Sequence, residues 1–146
     1  MTETKFKDQH GNEVQFMRKD TGQDCEITEI KHDSVGVFIS HKRYFYSSGK
    51  LQEWYCFSEN SEIISRHVME YGPDVWDAWR REFNSAGQLR RQTFYTWDKE
   101  YQAKAALYYD AAGEYLGRKV DALDEGKYCP LYFDKEGNPV ESQPAT

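Results

Sequence analysis

The chain has 146 residues and a mass of 17.2 kDa, with 30% charged and 38% hydrophobic residues and a net charge of −6. That length suits one domain spanning 1–146. The acidic balance argues against nucleic-acid binding by phosphate neutralisation, and no apolar run approaches the roughly 18 residues of a membrane span. Leu, Ile, Val and Phe together supply only 26 residues, so the core must draw on 11 Tyr and 4 Trp. Large rings of this kind bury much area and favour pleated surfaces, which points to an all-β protein. The opening Met1 to Lys7 lacks the apolar core of a secretory signal, and a cytoplasmic location is expected.

Read in chain order, the sequence is punctuated by one short unit: an aromatic residue, then Asp, Asn or Ser, two residues, Gly, any residue, and usually an apolar one. Asp8 to Gly11 keeps the turn with its aromatic residue, Phe6, displaced by one. Thr21 to Asp24 is a second turn signal, and His32-Asp33-Ser34-Val35-Gly36 places imidazole in the aromatic slot. Full copies follow at Phe45 to Leu51, Phe83 to Leu89, Tyr109 to Tyr115 and Phe133 to Pro139, and Phe57 to Ser61 has Ser in the glycine position. Between them lie further turn signals at Gly72-Pro73-Asp74, Asp98-Lys99-Glu100 and Asp124-Glu125-Gly126.

The chemistry of the unit is that of a hairpin. Asp, Asn or Ser accepts bonds from nearby backbone N–H groups, two residues turn the chain, and Gly takes the left-handed conformation that ends a type I turn with a bulge. Gly11, Gly36, Ser61, Gly87, Gly113 and Gly137 recur at intervals of 24 to 26 residues, with other turns near the midpoints. Strands of about eight residues therefore alternate direction. The expected fold is an up-and-down antiparallel meander of about ten to twelve strands, a single curled sheet or half-barrel built of roughly 25-residue hairpin repeats over 6–140, with frayed termini. Pro130 and Pro139 fall in the last two strands, as suits an edge. Gly72 to Phe83 also has helical spacing, but the 26-residue interval across it favours a strand.

The Phe45 to Leu51 unit resembles the hairpin repeat of MORN-variant antitoxin proteins, and Tyr109-Asp110-Ala111-Ala112-Gly113 resembles the YD repeat of Rhs-type toxin shells. Small free-standing proteins of this type are often immunity proteins encoded beside bacterial toxins. The resemblance implies a cytoplasmic antitoxin that binds a cognate toxin domain and blocks its active site, without catalysis.

The residues offer little chemistry of their own. His10, His32, His41 and His67 lie on different expected strands or turns without metal-ligand spacing, so neither a metal nor another cofactor is expected. Cys25, Cys56 and Cys129 are read as small buried hydrophobes. His41 and Cys56 fall on neighbouring strands and suggest a nucleophilic dyad, while Asp74 with Asp77, or Glu59 with Glu62, suggest a carboxylate pair. Turn formation and solvation explain these acids more simply, and Arg80, Arg81, Arg90 and Arg91 across the Gly87 hairpin are read as pairing with Glu82 and solvent.

The better candidate is a protein-binding surface. Trp54, Trp76, Trp79, Trp97 and Tyr101 are the expected aromatic anchors, half of them serving as core. The neighbouring acids Glu53, Asp74 and Asp77, with Asp98 and Glu100, would steer a toxin with a basic cleft. The alternative is a small-ligand-binding β-barrel, or an enzyme using the concave face as a pocket. A fragment of a larger shell is a third reading.

Overall fold

A computed structural model describes residues 1–144; of the residues expected to fray, 145 and 146 lie outside it. All regular structure is β: β1 (Thr2–Lys7), β2 (Glu13–Thr21), β3 (Asp24–His32), β4 (Phe38–Ser47), β5 (Lys50–Phe57), β6 (Ile63–Tyr71), β7 (Ala78–Asn84), β8 (Leu89–Asp98), β9 (Ala103–Asp110), β10 (Tyr115–Asp124), β11 (Lys127–Asp134) and β12 (Pro139–Val140). The 12 strands are ordered β1 to β12 in one antiparallel up-and-down sheet, as the turn period requires. Among the described residues β1 and β12 are the ends of that order and do not pair, so strand pairing closes no barrel of the kind the alternative reading requires. Gly72 to Phe83 forms a turn running into β7 rather than a helix.

The repeat unit is a five-residue loop whose bonds are almost wholly local. Asp33 is representative: its N–H donates to the Val37 carbonyl at 2.8 Å, its own carbonyl accepts from Gly36 at 3.1 Å, and its carboxylate accepts from the N–H groups of Val35 and Val37. The same backbone bonds close the loops that begin at Asp8, Ser58, Asn84, Asp110 and Asp134. The fourth position must be left-handed, and Ser61 adopts φ 63° where the other copies have Gly. At the other strand ends the turns are of several kinds, among them two-residue turns at Ser48-Gly49 and Glu125-Gly126 with both central φ values positive, as type I′ hairpins demand.

The start of the chain is ordered from Thr2, since β1 pairs with β2 from Thr2↔Arg18 to Lys7↔Glu13. At the other end, among the described residues, β12 pairs only with Tyr132 and Phe133 of β11. Counting from the Asp124↔Lys127 closing pair, Asp121↔Pro130 is a non-hydrogen-bonded pair, so the donor that Pro130 lacks would have pointed away from β10. Proline thus costs the ladder nothing and removes a donor from an uncovered edge. Cys129, expected to be buried, is exposed on this same uncovered stretch.

The chain forms two compact units, one of Met1–Val68 with the loop Asn84–Gln88, the other of Met69–Phe83 with the described residues from Leu89 onward. In the first, Val14 and His67 are the buried side chains, and most other strand residues are half-buried. In the second, Ala103, Ala105, Val120 and Phe133 form a buried cluster with Leu107 packed against it.

Candidate partner-binding face

The register sorts the second unit's side chains onto two faces. On one, Trp79 stands opposite Phe94, their rings 4.8 Å apart, and Tyr109 packs against Trp79 at 5.4 Å. Arg118 lies 4.5 Å from the centre of the Phe133 ring and forms ion pairs with Asp98 and Glu100, while Tyr101 rests on Phe133 at 5.8 Å. This face is filled by the buried cluster of Ala103, Ala105, Val120 and Phe133 and the pairs around it.

The opposite face buries Thr93 and Tyr108 but exposes a group of aromatic residues. Asp74 accepts a bond from the Trp76 N–H at 3.1 Å on its carboxylate and one from the Asp77 N–H on its carbonyl, and the Gly72 N–H closes the turn onto the Asp77 carbonyl. That turn fixes Trp76 beside Trp97 of β8, with ring centres 5.0 Å apart. Lys104 of β9 lies 5.6 Å from the Trp76 ring and Arg80 of β7 lies 5.8 Å from Tyr95. On β10, Lys119 and Asp121 form an ion pair at 3.4 Å.

Short side chains on β9 make room between these groups. Ala106 is buried at the floor of a groove of about 530 Å³ bordered by Val75, Trp76, Arg80, Tyr95 and Lys119. A second depression of about 520 Å³, bordered by Trp97 and Tyr128, shares Trp76, Lys104 and Asp121 with the first. Val75 is 89% exposed, Tyr128 76%, Trp76 44% and Trp97 36%. Single exposed apolar residues are ordinary on a surface, but four bordering one pair of depressions mark an interaction site. Tyr108, also lining the groove, has its hydroxyl pushed up to about 12 by burial first, then by Tyr132 and Tyr95.

Of the eight residues read from the sequence as partner-binding, the structure brings Trp76 and Trp97 together. Asp74 serves them as a turn former, and Asp77 accepts a 2.7 Å bond from the Thr96 hydroxyl. Trp79 and Tyr101 pack against Phe94 and Phe133 on the other face. Glu53 and Trp54 belong to the first unit, where Glu53 binds Arg66 at 3.0 Å and the Trp54 ring stacks on His67 at 4.6 Å with only 2° between planes. The missed residues are Arg80, Tyr95, Lys104, Tyr108, Lys119 and Asp121; their alternation along β7 to β10 is the signal, but it needs the register to assign a face.

The chemistry weighed from sequence separates on the sheet. His41 pairs with Phe57 and Cys56 with Lys42, so the two side chains project from opposite faces of β4 and β5 and make no dyad. Arg81 pairs with Glu70 and Gln92, while Glu82 stands opposite Arg91. Among the described residues no group of three His, Cys, Asp or Glu converges on a metal position. Comparison with protein-family models, curated proteins and solved structures gives no match to this chain.

Proposed function

We propose that this protein is a non-catalytic binding protein of the immunity type, which occludes the active site of a bacterial toxin in the cytoplasm with the Trp76 and Trp97 face of its second unit. The observation that carries the reading is the exposed Trp76 and Trp97 pair, held by the Asp74 turn and bordered by Val75 and Tyr128 beside two depressions. Rigid aromatic side chains lose little conformational freedom on binding and dominate interface energetics. The sheet behind them is hydrogen-bonded from β7 to β11, so the anchors are presented without folding on contact. The toxin as partner comes from the likeness of the hairpins to those of MORN-variant immunity proteins. The net charge of −6 favours encounter with a basic protein at long range.

Co-expression of the tagged protein with the product of the adjacent gene tests this reading. A one-to-one complex, with the partner's toxicity suppressed, is the expected result. Replacing Trp76 and Trp97 together by Ser removes two central anchors and should weaken the complex by roughly 30-fold or more, with the fold checked by its circular dichroism. Absence of a complex overturns the immunity reading, and undiminished affinity in the double variant overturns the choice of face.

A further inference from the structure

The groove's charge differs in sign from that of the chain. Among the residues that line the larger depression are Arg80, Lys104 and Lys119, against one carboxylate, Asp121. Lys119 stands opposite Ala106, two residues from Lys104, which makes the two lysines diagonal neighbours on one face, about 7 to 8 Å apart. Asp121 is on the same face of β10 and already binds Lys119, so it partly neutralises the pair. Arg80 lies over Tyr95 at the other border. The acids assigned from sequence to this neighbourhood are engaged elsewhere: Asp77 with Thr96, Asp98 with Arg118, Asp74 within its turn.

Resting on the partner-binding reading above, we infer that the groove takes an acidic segment of a protein, a short stretch with one or two carboxylates beside an aromatic or aliphatic side chain. The carboxylates would meet Lys104 and Lys119, and the apolar side chain would lie against Trp76, Trp97 and Tyr128. Two lysines suit one or two carboxylates. They do not suit a nucleic acid, whose closely spaced phosphates require many neutralising contacts and would be repelled by the chain's net charge of −6. The exposed apolar border also exceeds what a free inorganic anion would use. The chain's own acidity and the groove's basicity thus address different parts of one partner, the first guiding a basic surface at a distance and the second receiving an acidic projection at contact.

Fluorescence anisotropy at physiological salt with three labelled probes tests the inference: a dodecapeptide of Glu and Trp, its Lys and Trp counterpart, and a twelve-nucleotide oligouridylate. The acidic peptide should bind best. Asp121→Asn should tighten it about 3- to 10-fold, and Lys104→Ser with Lys119→Ser should weaken it about 10-fold or more. No binding of the acidic peptide, equal or tighter binding of the basic one, or loosening by Asp121→Asn overturns the inference. Preferred binding of the oligouridylate overturns it in favour of a nucleic acid. If the acidic peptide fails while the Trp-dependent complex with the adjacent gene's product forms, the acidic segment is wrong and the face stands. If Trp76→Ser with Trp97→Ser leaves every affinity unchanged, the face itself is wrong.

Discussion

The two units solve the same problem, stabilising a sheet with few aliphatic residues, in different ways. In the first unit, rings stack across strands: Tyr44 on Trp54 and Trp54 on His67, the imidazole further bonded to the Ser65 hydroxyl at 3.1 Å. Stabilisation there is spread over cross-strand pairs, each contributing a modest amount. In the second unit, small residues on β9 admit neighbouring side chains from both directions. Ala103 and Ala105 pack with Val120 and Phe133 into a buried cluster on one face, while Ala106 leaves a hollow on the other. A strand of alanines between aromatic strands therefore creates a core and a binding groove at once.

The sharpest way to break this contrast is at Gly117. It sits at the irregularity between Tyr115 and Gly117 on β10, has φ 141°, and lies so close to β11 that a Cβ would collide with the Phe133 carbonyl oxygen. Gly117→Ala should cost about 3 kcal/mol or more, since it combines a conformation that L-residues rarely adopt with a backbone clash. Urea unfolding followed by tryptophan fluorescence measures it. The matched control is Gly113→Ala, where nothing lies within 4 Å of the added atom and only the left-handed φ of 87° is penalised, at about 1 to 2 kcal/mol. Equal losses at the two positions would show that close approach at β10 is not what holds the buried cluster.

A graded perturbation comes from Tyr108, on the groove face and 5% exposed. Its hydroxyl is held protonated to about 12 in the folded chain, above its ordinary value of 10.0. Below pH 10 both folded and unfolded states carry the neutral phenol, and the contribution is intact. As pH rises from 10 towards 12 the unfolded chain ionises first, so stability falls over that window. Tyr108→Phe should remove this part of the alkaline loss. A series of urea midpoints at rising pH, with phenolate absorbance recorded in parallel, reads both quantities; an unchanged alkaline slope in the variant would place the effect on another tyrosine.

The same contrasts separate what is legible in the sequence from what is not. The turn period was legible because each Asp-x-x-Gly loop is closed by bonds among five consecutive residues, so local sequence suffices. Which residues share a face was not. Register slips between Phe45 and Tyr46, between Cys56 and Phe57, between Glu82 and Phe83 and at Gly117 each interrupt a strict alternation, and counting by twos loses its meaning beyond them. Glu53 looked available for a partner because Arg66, 13 residues on, is brought to it only by strand pairing. Asp77 is likewise taken by Thr96, 19 residues away. Trp76 and Trp97 were legible as aromatic anchors, but their lysine and arginine companions come from β7, β9 and β10 and are assembled by register alone.

The smallest expected effect concerns the loop that departs from the repeat. Ser61 holds φ 63° in the position that Gly occupies in the other copies, and Ser58 closes the loop with one side-chain bond, to the Glu62 N–H at 3.2 Å. Asp33 makes two such bonds, at 3.0 and 2.8 Å. Ser61→Gly relieves the left-handed strain but loosens the unfolded chain, and the two terms oppose each other. Because a left-handed L-residue costs about 1 to 2 kcal/mol and added glycine entropy returns up to about 1 kcal/mol, a net gain of about 0.5 kcal/mol is expected. Ser58→Asp should add a similar amount by supplying the second acceptor contact. Urea midpoints of the two single variants and their combination separate the effects: additive gains support a loop limited by local geometry, whereas a loss in Ser61→Gly would mean that the serine hydroxyl has a role the other five loops lack.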